Sequence, residues 1–294
     1  MVSGTSARRT YVGGVTNADR EPLDLAVRHA ISYLESLPDR HVAATAGVAE
    51  LTELLGGPLP AGPTPAAETI EVLGRAATEG GVVASSGPRY FGFVVGGTLP
   101  VGIAADWLTS AWDQNSGVYD LGPAVATAEH VTAQWLVELL GLPAGTSVGF
   151  PTGCAMAHVT ALAAARHHVL AKAGWDVERD GLQGAPTVHV VGGAQRHLTV
   201  DLAVRYLGLG ASRVRVVPAD DQGRMRADEL DSVLADCAGP TIVCAQAGDV
   251  NTGAVDPLAE ICDAAHRHGA RSPSPIRSGP VHRACPPADS RSAR

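Results

Sequence analysis

From Val148 to Ala270 the chain repeats one unit: a β-branched apolar run, a loop of small or polar residues, then an amphipathic helix. The runs are Thr187-Val188-His189-Val190-Val191, Val214-Arg215-Val216-Val217 and Thr241 to Gln246. Helices are expected over Leu198–Leu207, Arg226–Asp236 and Asp256–His268. Strands separated by helices of about ten to fifteen residues cannot pair as hairpins, so crossovers must carry the chain back and the strands run parallel. An α/β fold follows: three layers around a mainly parallel sheet. At Arg271 the repetition stops. Where the next strand is due the chain reads Arg-Ser-Pro-Ser-Pro-Ile-Arg-Ser-Gly-Pro, and two prolines remove the ladder donors of a central strand.

The segment before Val148 lacks that alternation. Residues 1–20 read as a loose arm. A helical stripe of Leu25, Ala26, Ala30, Tyr33, Leu34 and Leu37, with His29 among them, predicts a helix over Leu23–Leu37 ended by Pro38. Val48–Leu55 and Ala66–Thr78 are expected to be two more helices, joined by a Pro/Gly-rich link from Pro58 to Pro65. Ser85 to Phe93 is a turn with an aromatic cluster, in a chain with only 4% aromatic residues. Helices are expected from Pro100 to Trp112 and from Pro123 to Leu140, the second with proline in its first turn and a core face of Val125, Val131, Trp135, Leu136 and Leu139. The expected division is an N-terminal arm and helical extension over 1–80, an α/β domain over 81–271, and a disordered tail over 272–294 too poor in apolar residues to order itself.

Composition narrows the partners. A net charge of −8 with scattered arginines gives no basic field for nucleic acid. No apolar run of about 18 residues is present, so no membrane span is expected. Five cysteines form neither a C-x-x-C pair nor a zinc spacing, so no metal centre is expected, and Cys244 and Cys262 read as buried thiols. With no targeting core near Met1 and an odd cysteine count, the expected location is cytoplasmic.

In a parallel sheet ligands gather at the carboxyl ends of strands, where loops meet helix N-termini. Three loops qualify. Phe150-Pro151-Thr152-Gly153-Cys154-Ala155-Met156 opens a helix with small residues that let backbone N–H groups approach an anion. Gly192 to Val200 places His197 just before a helix. Ala247 to Asp256 places Gly248 and Asn251 to line a ligand, while Asp256-Pro257 reads as an N-cap followed by proline at the first helical position. Cys154 with His158 four residues on would also suit a reactive thiol, but no G-x-S-x-G elbow accompanies it.

The Pro88-Arg89-Tyr90-Phe91 turn, the helix from Pro123 to Leu142 and the three loops, in this order and spacing, resemble the group II pyridoxal-phosphate-dependent amino acid decarboxylases, of the aspartate-aminotransferase fold. The resemblance runs from about Ser86 to Ala270 and implies the large domain of that fold, pyridoxal 5'-phosphate as cofactor, an amino acid substrate and a homodimer. It implies that Thr152, Gly153, Cys154 and Ala155 hold the cofactor phosphate. His197 matches the histidine that stacks on the pyridine ring and serves catalysis, and Asn251 matches a position near the ring's phenolic oxygen. Pro88, Tyr90 and Phe91 match a segment lining the substrate pocket, shared across the dimer in many members. Gly87 stands where many relatives have histidine.

Such a cofactor accepts the electrons of a bond broken at Cα, which requires an orienting pocket, a carboxylate that keeps the ring nitrogen protonated, and a lysine that anchors the cofactor covalently. The family's aspartate follows the sequence matched by His268-Gly269-Ala270, where this chain reads Arg271-Ser272-Pro273. The one lysine, Lys172, falls near the far end of the helix that starts at the phosphate loop, about 25 Å away at ~1.5 Å per residue. The resemblance therefore implies a C-terminally truncated, catalytically inactive homologue, with the sequence from Arg271 foreign to the family through a frameshift or early stop. A non-catalytic dimerising or ligand-binding fragment, and an aminotransferase or carbon–carbon lyase of the same fold, are the alternative readings.

Overall fold

The computed structural model describes Gly14, residues 16–270 and the backbone of Ile276–Arg277. It falls into two compact units, Met1–Ala111 and Trp112–Arg294, rather than dividing near residue 80.

The first unit is helical: α1 (Asn17–Ser36), α2 (Val48–Leu55), α3 (Ala66–Ala76) with a π turn over Ala77–Gly81, and α4 (Pro100–Trp112), whose last residue crosses the boundary. α1 begins earlier than its apolar stripe predicts. Thr16 and Asp19 form a capping box, Thr16 Oγ1 accepting from the Asp19 N–H while the Asp19 carboxylate accepts from the Thr16 N–H. α1 lies on α3, where the His29 ring presses so closely on Gly74 that no Cβ fits, and His29 Nε2 meets Glu71 Oε2 at 3.2 Å.

The second unit contains α5 (Pro123–Leu139), α6 (Cys154–Lys172), α7 (Val177–Asp180), β1 (His189–Gly193), α8 (Leu198–Tyr206), β2 (Arg215–Val217), α9 (Ala227–Ala235), β3 (Thr241–Cys244), β4 (Gln246–Ala247), α10 (Leu258–Arg267) and β5 (Ile276–Arg277). β1 is central. Its Val191 pairs in parallel with Arg215 of β2 on one side and Val243 of β3 on the other, giving the order β2-β1-β3. The chain thus steps one way from β1 to β2 and the other way from β2 past β1 to β3. Right-handed crossovers in opposite directions put the connecting helices on opposite faces, which is why three layers form.

Side-chain alternation along the strands fills both faces. Val190 and Ile242 pack with Leu162, Ala165 and Val169 of α6 and with Val200, Ala203 and Val204 of α8. Val191, Val217 and Val243 pack with Leu230 and Leu234 of α9 and with Ile261, Ala264 and Ala265 of α10. Leu162, Leu230, Ile242 and Ile261 are fully buried, each contributing about 1.5–3 kcal/mol of hydrophobic stabilisation.

Four expectations need correction. The run Thr241–Gln246 is not one strand: β3 ends at Cys244, and the Gln246 N–H leaves the sheet to donate to Asp256 Oδ2 at 2.6 Å. Asp256 does not cap α10. Pro257 holds the cap position, and the Asp256 carboxylate is buried between the N–H groups of Met225 (2.7 Å) and Gln246. On α5, Val125, Val131 and Leu136 are half-buried, but Trp135 and Leu139 face solvent, so the stripe is not a closed core face. In the segment expected to be disordered, Ile276–Arg277 pairs in parallel with Gln246–Ala247; the rest of 271–294 lies outside the described residues.

Candidate functional site

The loop leaving β1 turns to α8 on one face of the sheet, and the loop leaving β3 turns to α10 on the other. Between two such strands the loops part and open a crevice at the carboxyl edge. It is lined by Gly193, Gln195, Arg196, Cys244, Gln246 and Asp256, among others. Gly192 permits its packing, since a Cβ there would come within 3.1 Å of Arg196 Cδ. Arg196 lies against the strand and forms a forked pair with Asp201, at 2.9 Å and 3.2 Å, so its charge is already matched.

α6 delivers the first candidate loop. Gly153 occupies its N-cap with extended backbone and no capping side chain, and nothing stands within 4 Å of the place a Cβ would take. Thr152, Gly153 and Cys154 are exposed and Ala155 is half-buried. The first turn of this 19-residue helix carries N–H groups with no intrahelical acceptor and the positive end of the helix dipole, a suitable cradle for an anion.

His197 caps α8. Its Nδ1 accepts from the Thr199 N–H (3.3 Å) and lies 2.7 Å from Thr199 Oγ1, while the backbone N–H of His197 donates to Gln246 Oε1 at 2.9 Å. The ring is exposed. Thr199 Oγ1 also lies 2.9 Å from Nδ1 of His158, whose Nε2 lies 3.5 Å from Cys154 Sγ. Loss of hydration lowers the pKa of the buried His158, opposed by a hydrogen bond to the Thr199 backbone and reinforced by nearby His197. The start of α6 and the histidine after β1 are therefore joined by a continuous set of polar contacts.

Of the residues singled out in the sequence, the structure links Cys154 and His197. It brings to them His158, Thr199 and Gln246, which were not singled out for this site. The spacing Cys154-x-x-x-His158 was a legible signal, because residues four apart share a helix face. The partnership with Thr199 was not legible, because it spans two helices. Asn251 lies on an exposed turn outside this line of contacts, where its N–H donates to Asp249 Oδ1 at 2.8 Å and the adjacent Thr252 hydroxyl donates to the Gln222 carbonyl at 2.9 Å. Gly248 opens that turn in the left-handed region, with φ 97°. Pro88, Tyr90 and Phe91 belong to the first unit, in a turn braced by Arg89 donating to the Arg40 carbonyl at 2.6 Å; Phe91 is 94% exposed.

A phosphorylated pyridine fits part of this arrangement. Gly153 leaves open space at a helix start, and His197 offers a free ring face. Covalent anchoring does not fit: Lys172, the one lysine of the chain, is in the last turn of α6, at the opposite end from Gly153. Among the described residues no helix is long and apolar enough to cross a membrane.

The chain is 28% identical over 191 residues to the acidic amino acid decarboxylase of Bos taurus, covering 64% of this chain and 36% of that protein. To the cysteine sulfinic acid decarboxylase of Mus musculus it is 30% identical over 186 residues, 62% of this chain and 37% of that protein. It thus spans little more than a third of the length of these curated relatives. Among solved structures, that of Oryza sativa TDC with PLP and tryptamine superposes with a TM-score of 0.76 at 25% identity, over 88% of this chain and 55% of that one. The parallel sheet and its covering helices are those of the aspartate-aminotransferase fold. The conserved domain of pyridoxal-dependent decarboxylases matches residues 66–271, which takes in the helix starting at Gly153, the cap at His197 and the turn bearing Asn251: the chain belongs to that family.

Proposed function

We propose that the chain carries the phosphate- and ring-binding part of a pyridoxal-phosphate-dependent amino acid carboxy-lyase and that these 294 residues bind the cofactor reversibly without turning substrate over. The observation that most supports this is the hydrogen-bonded link between the open N-terminus of α6 and the exposed ring of His197 at the edge of a parallel sheet. In this reading Thr152, Gly153, Cys154 and Ala155 hold the phosphate through backbone N–H groups. His197 covers one face of the pyridine, keeps it flat and excludes water from that side. Asn251, on the loop after β3, borders the phenolic side. Pro88, Tyr90 and Phe91 shape the substrate pocket, as a second copy of the chain would present them. When bound, pyridoxal phosphate supplies an electron sink for the bond broken at Cα of an amino acid.

The absence of turnover follows from residues rather than from fold. Lys172 sits at the wrong end of α6 to serve as a covalent anchor, and the position matching the family's ring-nitrogen carboxylate is Arg271 onward, outside the described residues. An absorbance scan between 300 and 450 nm (roughly the range of pyridoxal phosphate) tests both halves of the proposal. Titration should show saturable binding that desalting reverses, and borohydride should leave no label on Lys172. Failure to bind would remove the cofactor reading. Amine release from a panel of amino acids, or a borohydride-fixed adduct, would remove the claim of inactivity.

A further inference from the structure

The contacts from Cys154 to His197 have a direction, and it follows from one donor whose proton position is known. The Thr199 backbone N–H reaches Nδ1 of His197 at 3.3 Å, which favours a lone pair on that nitrogen, shared with the Thr199 hydroxyl, and the ring's proton on Nε2. The Thr199 hydroxyl, 2.7 Å from the same nitrogen, can only donate to it. A hydroxyl has a single proton, so toward His158 Nδ1, at 2.9 Å, Thr199 Oγ1 must accept, and His158 carries its proton on Nδ1. His158 is 3% exposed, and its burial favours the uncharged ring, which leaves Nε2 with a lone pair facing the Cys154 thiol at 3.5 Å. The thiol donates. Every proton along the line then points the same way, from Cys154 to His158, to Thr199 and on to His197.

We infer that His158 is a positioning residue which, through the Thr199 hydroxyl, holds His197 in the tautomer with its proton on Nε2 and fixes the plane of its ring. The two residues do this from opposite helices: His158 is on the buried side of α6, and Thr199 is in the first turn of α8. A ring held by one cap bond alone could swing about its Cβ–Cγ bond; two donors converging on Nδ1 stop it. The Nε2–H of this exposed residue is then held in one direction at the start of α8. The functional meaning of this rests on the proposal that His197 faces the pyridine ring, but the tautomer itself does not.

The experiment is a long-range proton–nitrogen correlation of the histidine rings in the ¹⁵N-labelled full chain, without pyridoxal phosphate. His158 should report a protonated Nδ1 and His197 a protonated Nε2. Thr199→Val keeps the backbone donor and the shape but loses the hydroxyl, so the ratio of Nε2–H to Nδ1–H forms at His197 should fall about fivefold, the worth of one neutral hydrogen bond. Thr199→Ser should restore it. His158→Leu, which removes the donor to Thr199, should lower the same ratio about twofold through lost cooperativity along the line. Should His158→Leu fail to fold, the two Thr199 variants still decide. A proton on Nε2 of His158, or an unchanged His197 ratio in Thr199→Val or in a folded His158→Leu chain, would overturn the inference. A separate binding titration keeps the two claims apart: the expected tautomers in a chain that binds no pyridoxal phosphate uphold the positioning line and remove only the cofactor reading.

Discussion

Asp256 is the one buried carboxylate among the described residues. Its two oxygens accept from Met225 N–H and Gln246 N–H, joining the start of α9, the end of β3 and the approach to α10. Burial raises its pKa, reinforced by nearby Asp220, and the two backbone donors offset this only in part. Asp256→Ala would leave both N–H groups without an acceptor. We expect a loss of about 2–4 kcal/mol in urea unfolding, with Asp256→Asn losing roughly half because it keeps one acceptor oxygen. His158 gives a pH signature. Burial holds its folded-state pKa below the ordinary histidine value of 6.5, so the unfolded chain takes up the proton first on acidification. Its contribution to stability is complete above pH 6.5 and declines as pH falls from there through the folded value. Urea midpoints measured from pH 7.5 downward (roughly one unit above that value) should show this decline, and it should be shallower in His158→Gln; equal slopes in the two proteins would contradict it. At this scale the sequence named Cys154 and His197 and was silent on Thr199 and Gln246, because a residue's partner across two elements leaves no local trace.

Among the elements, α6 bears on both stability and the site. Its Leu162, Ala165 and Val169 cover one face of β1 and β3, and its first turn presents Gly153 and Cys154 at the sheet's edge. Leu162→Ala should cost about 2–5 kcal/mol by opening a cavity under the sheet. Because the start of α6 is tied to α8 through His158 and Thr199, the same change should weaken pyridoxal phosphate binding by more than an exposed substitution such as Met156→Ala. Calorimetric unfolding and a binding titration on both variants would check this; equal affinities would mean that the helix start is held independently of its body. Thiol chemistry reports on the same elements. Burial pushes Cys244 up to about 12, so alkylation at pH 8 (about four units lower) should modify exposed Cys154 first and leave Cys244 until the sheet opens. The longer helices and the strands β1, β2 and β3 were legible from periodicity, whereas ends moved and the short α7, β4 and β5 left no signal. α1 started early because a capping box outranked the apolar stripe, and β3 stopped early because Asp256 competed for the Gln246 N–H.

Considered whole, the chain exposes many large apolar side chains in its first unit: Phe91 is 94% exposed, Phe93 88% and Leu99 73%. Apolar surface of this kind, in the turn that the family resemblance assigns to a subunit boundary, favours a second copy as partner. Size-exclusion chromatography with light scattering should find a dimer, and Phe91→Ser combined with Phe93→Ser should shift it to monomer without changing far-ultraviolet dichroism. A monomer at all concentrations would remove the homodimer from the proposal. The β-branched runs and their spacing were enough to determine a parallel sheet between helices, since a short apolar run can bury both faces only inside such a sheet, and a single lysine at position 172 was enough to place the only lysine ammonium far from the start of α6. Only tertiary structure decided which loops share a crevice. Packing α6 and α8 on the same face of the sheet brings Cys154, His158, Thr199 and His197 onto one line of hydrogen bonds and leaves Asn251 on another turn, a consequence of packing that no spacing along the chain encodes.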